Sequence, residues 1–175
     1  VVDLFSFDSA SRAIWSAEGF VQDFSAVTQQ PRLVTTAPAG TQGEGSQFTY
    51  RIAITHHHPL GIPHDHKHEN LMVLRNAGAL LSELAAHQIR LILHGHRHHP
   101  YFGRAVIHAD QPESRSIGVL SAGTVSRGKK KKKYGFQFYV LTLDANLNMQ
   151  ATPYISEGGS FQPKTHFYIE DLQEA

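Results

Sequence analysis

Two short segments concentrate side chains able to hold a metal ion: Thr55-His56-His57-His58-Pro59 and His94-Gly95-His96-Arg97-His98. Neutral imidazole is a common ligand for zinc, iron, manganese and related ions. Each segment follows a run of apolar, β-favouring residues, Phe48 to Thr55 and Arg90 to His94. Glu69 to His87 lies between them, with Leu71, Leu74, Ala77, Leu80, Leu81 and Leu84 at helical steps of three and four. Strand, helix, strand is the order of an α/β unit. Ligands in such sheets bind beyond the carboxyl ends of the strands. Two strand ends on one edge would bring His57 together with His96 and His98. Gly95 gives a turn that can take unusual backbone angles, which would let His96 and His98 point at different ions.

Other histidines have plainer readings. His56 and His58 flank His57 as supports or as loop residues, His94 ends a buried strand, and His99 is expected at the surface. His64-Asp65-His66-Lys67-His68 follows a Pro-rich turn and reads as a solvated loop.

The elements that must position these residues follow from periodicity. Val1 to Phe7 reads as a strand closed by Asp8-Ser9, and Ser11 to Val27 as a helix interrupted by Gly19. Residues 37–47 are rich in Gly, Thr, Ser and Pro and read as a loop. Beyond Pro100 the pattern turns to short strands at Phe102 to His108, Ser116 to Leu120, Gly135 to Leu143 and Met149 to Ile155. The tail from Glu157 is Gly-rich and then mixed.

A chain of 175 residues suits a single domain, 1–175. Its 41% apolar and 18% charged content fits a globular protein rather than a disordered one. With no cysteine there is no disulfide and no thiolate zinc site, a composition compatible with a reducing cytosol, so a cytoplasmic location is expected. No apolar run approaches the roughly 20 residues of a membrane span. The net charge of +1 hides an asymmetry. Lys129 to Lys133 hold five of the seven lysines, and without them 11 basic residues face 15 acidic ones. The body is mildly acidic, and the lysine run reads as a solvated loop rather than a nucleic-acid surface.

Residues 91–99, Leu-Ile-Leu-His-Gly-His-Arg-His-His, resemble the Gly-His-x-His motif of calcineurin-like metallophosphoesterases with its preceding apolar strand. Residues 51–60, Arg-Ile-Ala-Ile-Thr-His-His-His-Pro-Leu, resemble that family's upstream histidine motif, whose ligand lies two residues before proline, here His57. Ser121-Ala122-Gly123-Thr124 resembles the small-residue segment that follows, and Phe5-Ser6-Phe7-Asp8-Ser9 the strand after the family's Gly-Asn-His motif. The resemblance spans most of the chain. It implies an α/β fold, the C-terminal portion of a four-layer α/β/β/α sandwich with a strand-rich C-terminal half. It also implies a dinuclear centre of two divalent ions, manganese, iron or zinc. His57 and His96 would serve one ion and His98 the other. The implied chemistry is hydrolysis of a phosphate ester substrate by metal-activated water.

The family pattern also contains Asp-x-His, Gly-Asp and Gly-Asn-His, and none of these occurs in the 175 residues. Carboxylate charge is what makes such sites bind hard or borderline cations tightly. The chain also lacks an initiator Met. It is therefore expected to be part of a longer product, to need an N-terminal half as its partner, and to bind metal weakly and hydrolyse esters poorly alone. The alternatives are a degenerate, non-catalytic module of the same fold and a histidine-rich metal-binding protein.

Overall fold

The computed structural model describes residues 1–10, 19–29, 49–61, 74–96, 98–108, 115–125, 136–157 and 159–170. Five strands form the first sheet: β1 (Val2–Ser6), β2 (Tyr50–Thr55), β3 (Leu91–His94), β4 (Tyr101–Ile107) and β5 (Arg115–Ser121). Their spatial order is β1-β2-β3-β5-β4. β1, β2, β3 and β5 pair in parallel, and β4 closes the edge antiparallel to β5. The central strands read as near-continuous apolar runs because both faces are covered. Ala53, Ile92, Ile117 and Val119 point to one side, into a core shared with Phe5, Phe7, Val21, Leu80 and Leu84. Tyr50, Ile52, Leu91 and Leu120 point to the other, against Met149, Ala151 and Ile169. The fold is thus mixed α/β and strand-rich, as expected.

The helix α2 (Ala77–Ala86) supplies Leu80, Leu81, Leu84 and Ala85 to the first core. It begins later than the apolar stripe predicts. Leu74 pairs with Gly19 in an isolated parallel bridge, and its N–H bonds the His58 carbonyl at 3.0 Å. Residues 69–73 of the predicted helix lie outside the described residues. The helix expected over Ser11 to Val27 is also corrected. Residues 11–18 lie outside the described residues, Gly19 to Phe24 are not helical, and among the described residues of this span only α1 (Ser25–Thr28) is helical. Asn76 is the physical reason. It sits at the N-cap position of α2, yet its amide does not cap the helix. Instead Oδ1 accepts from the Val21 N–H at 3.1 Å and Nδ2 donates to the Val21 carbonyl at 2.6 Å. A tertiary clamp thus satisfies backbone groups that a helix would otherwise pair.

The second sheet contains β6 (Gln137–Leu143), β7 (Met149–Glu157), β8 (Ser160–Pro163) and β9 (Phe167–Tyr168). β7 pairs antiparallel with all three others. The strand expected over 135–143 is present from Gln137 to Leu143, the one over 149–155 runs on to Glu157, and the tail adds β8 and β9. The sheets approach closely where side chains are small. A Cβ on Gly118 would stand 2.7 Å from Ile169 Cγ2, and one on Gly123 2.8 Å from the Gln137 carbonyl oxygen. The small-residue segment after β5 therefore has a packing role. No helix among the described residues is long and apolar enough to cross a membrane.

Candidate metal centre

The parallel register of β2 and β3 builds the site. Thr55 stands opposite His94, so His57 and His96 lie equally far beyond the last paired residues. Their ring centroids are 4.5 Å apart. The Gly95 N–H donates to the His56 carbonyl at 3.2 Å and ties the two loops across the edge. On the far side the Ala122 N–H bonds the His94 carbonyl at 3.0 Å, and Ser121 Oγ donates to the His99 carbonyl at 2.7 Å. The second loop is thereby fixed to the end of β5.

A third histidine joins the pair. His56 lies 5.0 Å from His57 and 4.7 Å from His96, centroid to centroid. His96 Nδ1 and His56 Nε2 share a hydrogen bond of 2.8 Å. One nitrogen from each of His56, His57 and His96 falls within 4.8 Å of the others. Tetrahedral donors at zinc-type bond lengths stand about 3.3 Å apart, so modest side-chain rotation gathers all three on one ion. The residues present fit a borderline divalent cation with an open coordination position. No carboxylate belongs to this group among the described residues.

His98, expected as a ligand, is exposed and does not belong to this three-histidine group. His56, read as a support, does. Gly95 is a clear correction: it does not adopt positive φ, and a Cβ there would meet nothing within 4 Å. The left-handed conformation falls instead on His96 (φ 68°) and His98 (φ 56°). Such conformations are uncommon outside glycine, although histidine is among the residues that tolerate them better. They concentrate where surrounding structure holds a functional side chain in place.

His58 and His94 form a second, fully interior pair with ring centroids 5.8 Å apart. Burial pushes the His94 imidazole down to about 4, the charge of a protonated His58 would push the same way, and a backbone hydrogen bond with Gly95 opposes both. His94 is thus a neutral side chain under the site floor, which fits the structural reading of this position.

Ser9 gave no signal in the sequence beyond ending the first strand. Its Oγ lies 3.0 Å from His57 Nδ1 and accepts the backbone N–H groups of His56 at 3.2 Å and His57 at 3.1 Å. Thr55 Oγ1 donates to the His57 carbonyl at 2.6 Å. Gly19 packs directly on the His57 ring, where a Cβ would overlap Cγ. The 64–68 histidine cluster and the 129–133 lysine run lie outside the described residues. No protein-family model and no curated protein matches this chain.

Proposed function

We propose that this chain carries the histidine part of a metal-dependent phosphoric ester hydrolase of the calcineurin-like metallophosphoesterase type. The observation that carries the reading is the convergence of His57 and His96 from the ends of adjacent parallel strands, two residues past a shared register position. The resemblance assigns those two positions to a common ion. The stacking of helix, sheet and second sheet supports a metallophosphoesterase-like sandwich. His56, His57 and His96 would hold one divalent ion, and His98, two residues further on, would face a second whose oxygen ligands would come from the N-terminal half that the resemblance implies. A bound ion supplies Lewis acidity toward a phosphoryl oxygen and lowers the pKa of water. The chain's own residues orient the imidazoles and hold the two loops together across the strand ends.

The all-nitrogen character of the three-histidine group favours a second reading, a mononuclear transition-metal binder without phosphoesterase activity. One experiment separates the two. The chain is loaded with Mn2+ or Zn2+, and metal content, orthophosphate binding and bis-p-nitrophenyl phosphate turnover are measured. Metal uptake lost in His57→Ala and His96→Ala, with phosphate bound only by the loaded protein, is the expected result. Turnover is expected to be slow and abolished by a chelator. Metal uptake with neither phosphate binding nor turnover overturns the hydrolase reading and leaves the metal binder.

A further inference from the structure

Residues 9 and 19 precede the histidine motifs by some distance, yet both touch His57. Ser9 follows β1, whose last registered pair with β2 is Ser6 with Ile54. The chain continues from there in step with β2, as the bond from the Phe7 N–H to the Ile54 carbonyl at 2.9 Å shows. Ser9 therefore arrives beside the first turn of the histidine loop, 1% exposed. A serine oxygen 3.0 Å from an imidazole nitrogen has the outline of a nucleophile with its base. The rest of its environment excludes that role. Two backbone N–H groups already converge on Oγ, which has two lone pairs, and no side of it faces solvent. What Ser9 does hold is one ring and two backbone amides of the same loop at a single atom.

Gly19 packs against the same ring, nearest its Cγ and Nδ1. It is buried, it is bridged to Leu74, and it bonds through its carbonyl to the Arg75 N–H at 2.9 Å. Its missing side chain is the space occupied by the His57 ring.

We infer that Ser9 and Gly19 are positioning residues that together fix the His57 imidazole, with Nδ1 committed to Ser9 and Nε2 directed to the metal. Histidines that bind metals generally give their other ring N–H to a fixed oxygen, which sets ring orientation and basicity. In the loaded protein Nδ1 carries the ring proton and donates to Ser9 Oγ. With both amides on Oγ, the Ser9 hydroxyl proton is the group left to donate to Nδ1 in the unloaded chain, so metal binding at Nε2 would move the ring proton to Nδ1, turn the hydroxyl proton away and loosen one amide bond. This inference rests on the metal-centre reading above.

The test uses the full chain, with Co2+ and Zn2+ as probes. Ser9→Ala is expected to weaken both by about 10–100-fold and to alter the Co2+ visible spectrum, with the circular dichroism unchanged. Gly19→Ala is expected to change the same spectrum by displacing the ring. In Zn2+-loaded wild-type protein, nitrogen-15 correlation spectra should show a slowly exchanging Nδ1–H on His57. That last measurement decides the matter even if a variant fails to fold. Wild-type Co2+ affinity and spectrum in Ser9→Ala, or an unprotonated His57 Nδ1 in the loaded wild type, overturns the inference while leaving the metal centre standing. A wild-type chain that takes up neither ion overturns the metal centre and the inference with it.

Discussion

The two ends of the parallel sheet both carry nitrogen-rich side chains, and they use them differently. At the ends where β3 and β5 begin, the nitrogens are guanidinium groups bonded to the main chain. Arg115 Nη1 donates to the carbonyls of Ala85 at 2.6 Å and Ala86 at 3.2 Å, and Arg51 Nη1 donates to that of His87 at 3.0 Å. These carbonyls lie at the C-terminal end of α2 and its cap, where a cation is favourable, and that of Ala85 also accepts the Gln88 N–H. Arg90 lies 5.7 Å over the Tyr50 ring, and the Tyr50 hydroxyl donates to Glu170 Oε1 at 2.8 Å. At the other end the nitrogens are imidazoles: His56 meets His96, and His57 meets the Ser9 hydroxyl. The permanently charged group is used to join elements. The group that is neutral near physiological pH, and so able to ligate, is placed where strand ends open.

This contrast makes separable predictions. The largest effect is expected from Arg115→Ala, which strips two helix-end carbonyls of a charged partner and should cost about 2 kcal/mol of stability. Urea unfolding reads that cost, while Zn2+ affinity stays at the wild-type value. A loss of metal affinity in this variant would break the separation between the two ends.

A pH effect sharpens it next. Burial, then the hydrogen bond to Glu170 and that carboxylate's charge, raise the Tyr50 hydroxyl well above its ordinary value. Burial also raises Tyr139, against the bond from Gln137. The unfolded chain therefore loses these protons at lower pH than the folded one. Their contribution to stability is intact below the ordinary tyrosine value of about 10 and declines as pH rises above it. Subtracting the 295 nm titration of Tyr50→Phe from that of the wild type should leave a phenolate step that coincides with loss of circular dichroism. A step completed while the protein is still folded would contradict the assignment.

The smallest effect compares strained backbone at the two ends. Gln88 (φ 59°) ends α2 in the left-handed position, with bonds from its own N–H to the Ala85 carbonyl and from the Ile89 N–H to the Leu84 carbonyl. That is the helix-terminating arrangement that ordinarily carries glycine. Gln88→Gly should raise stability by about 1 kcal/mol, read as a higher unfolding midpoint, with metal binding unchanged. His96, at φ 68°, is the counterpart at the histidine end: glycine there relieves similar strain and removes a proposed ligand.

Much of the sheet could be read directly from the sequence because its strands are apolar runs bounded by polar or irregular segments. The pairing of His57 with His96 could be read for the same reason: each closes such a run. The remaining site features arise from contacts between distant segments. His56 becomes part of the group through the course of the chain after β2, which periodicity does not encode. Ser9 and Gly19 act on a ring 48 and 38 positions further along the chain, and neither type carries a chemical signature. The helix over 11–27 failed at Gly19 to Phe24 because Asn76 binds Val21 more specifically than an apolar stripe can predict. The left-handed conformation falls on His96 and His98 rather than on Gly95, whose N–H is held by the His56 carbonyl.

The register that aligns Thr55 with His94 also has a consequence for the order of assembly. His56 and His96 are 40 residues apart, and Ser9 is 48 from His57. No local segment can form the site, because parallel pairing requires long chain closures before any contact is rewarded. During refolding, the capacity to hold a metal is therefore expected to appear with docking of β1 and β3 onto β2, after α2 has become helical. Once formed, the bound ion would act as a latch across those closures, stabilising the native chain in proportion to the logarithm of metal concentration.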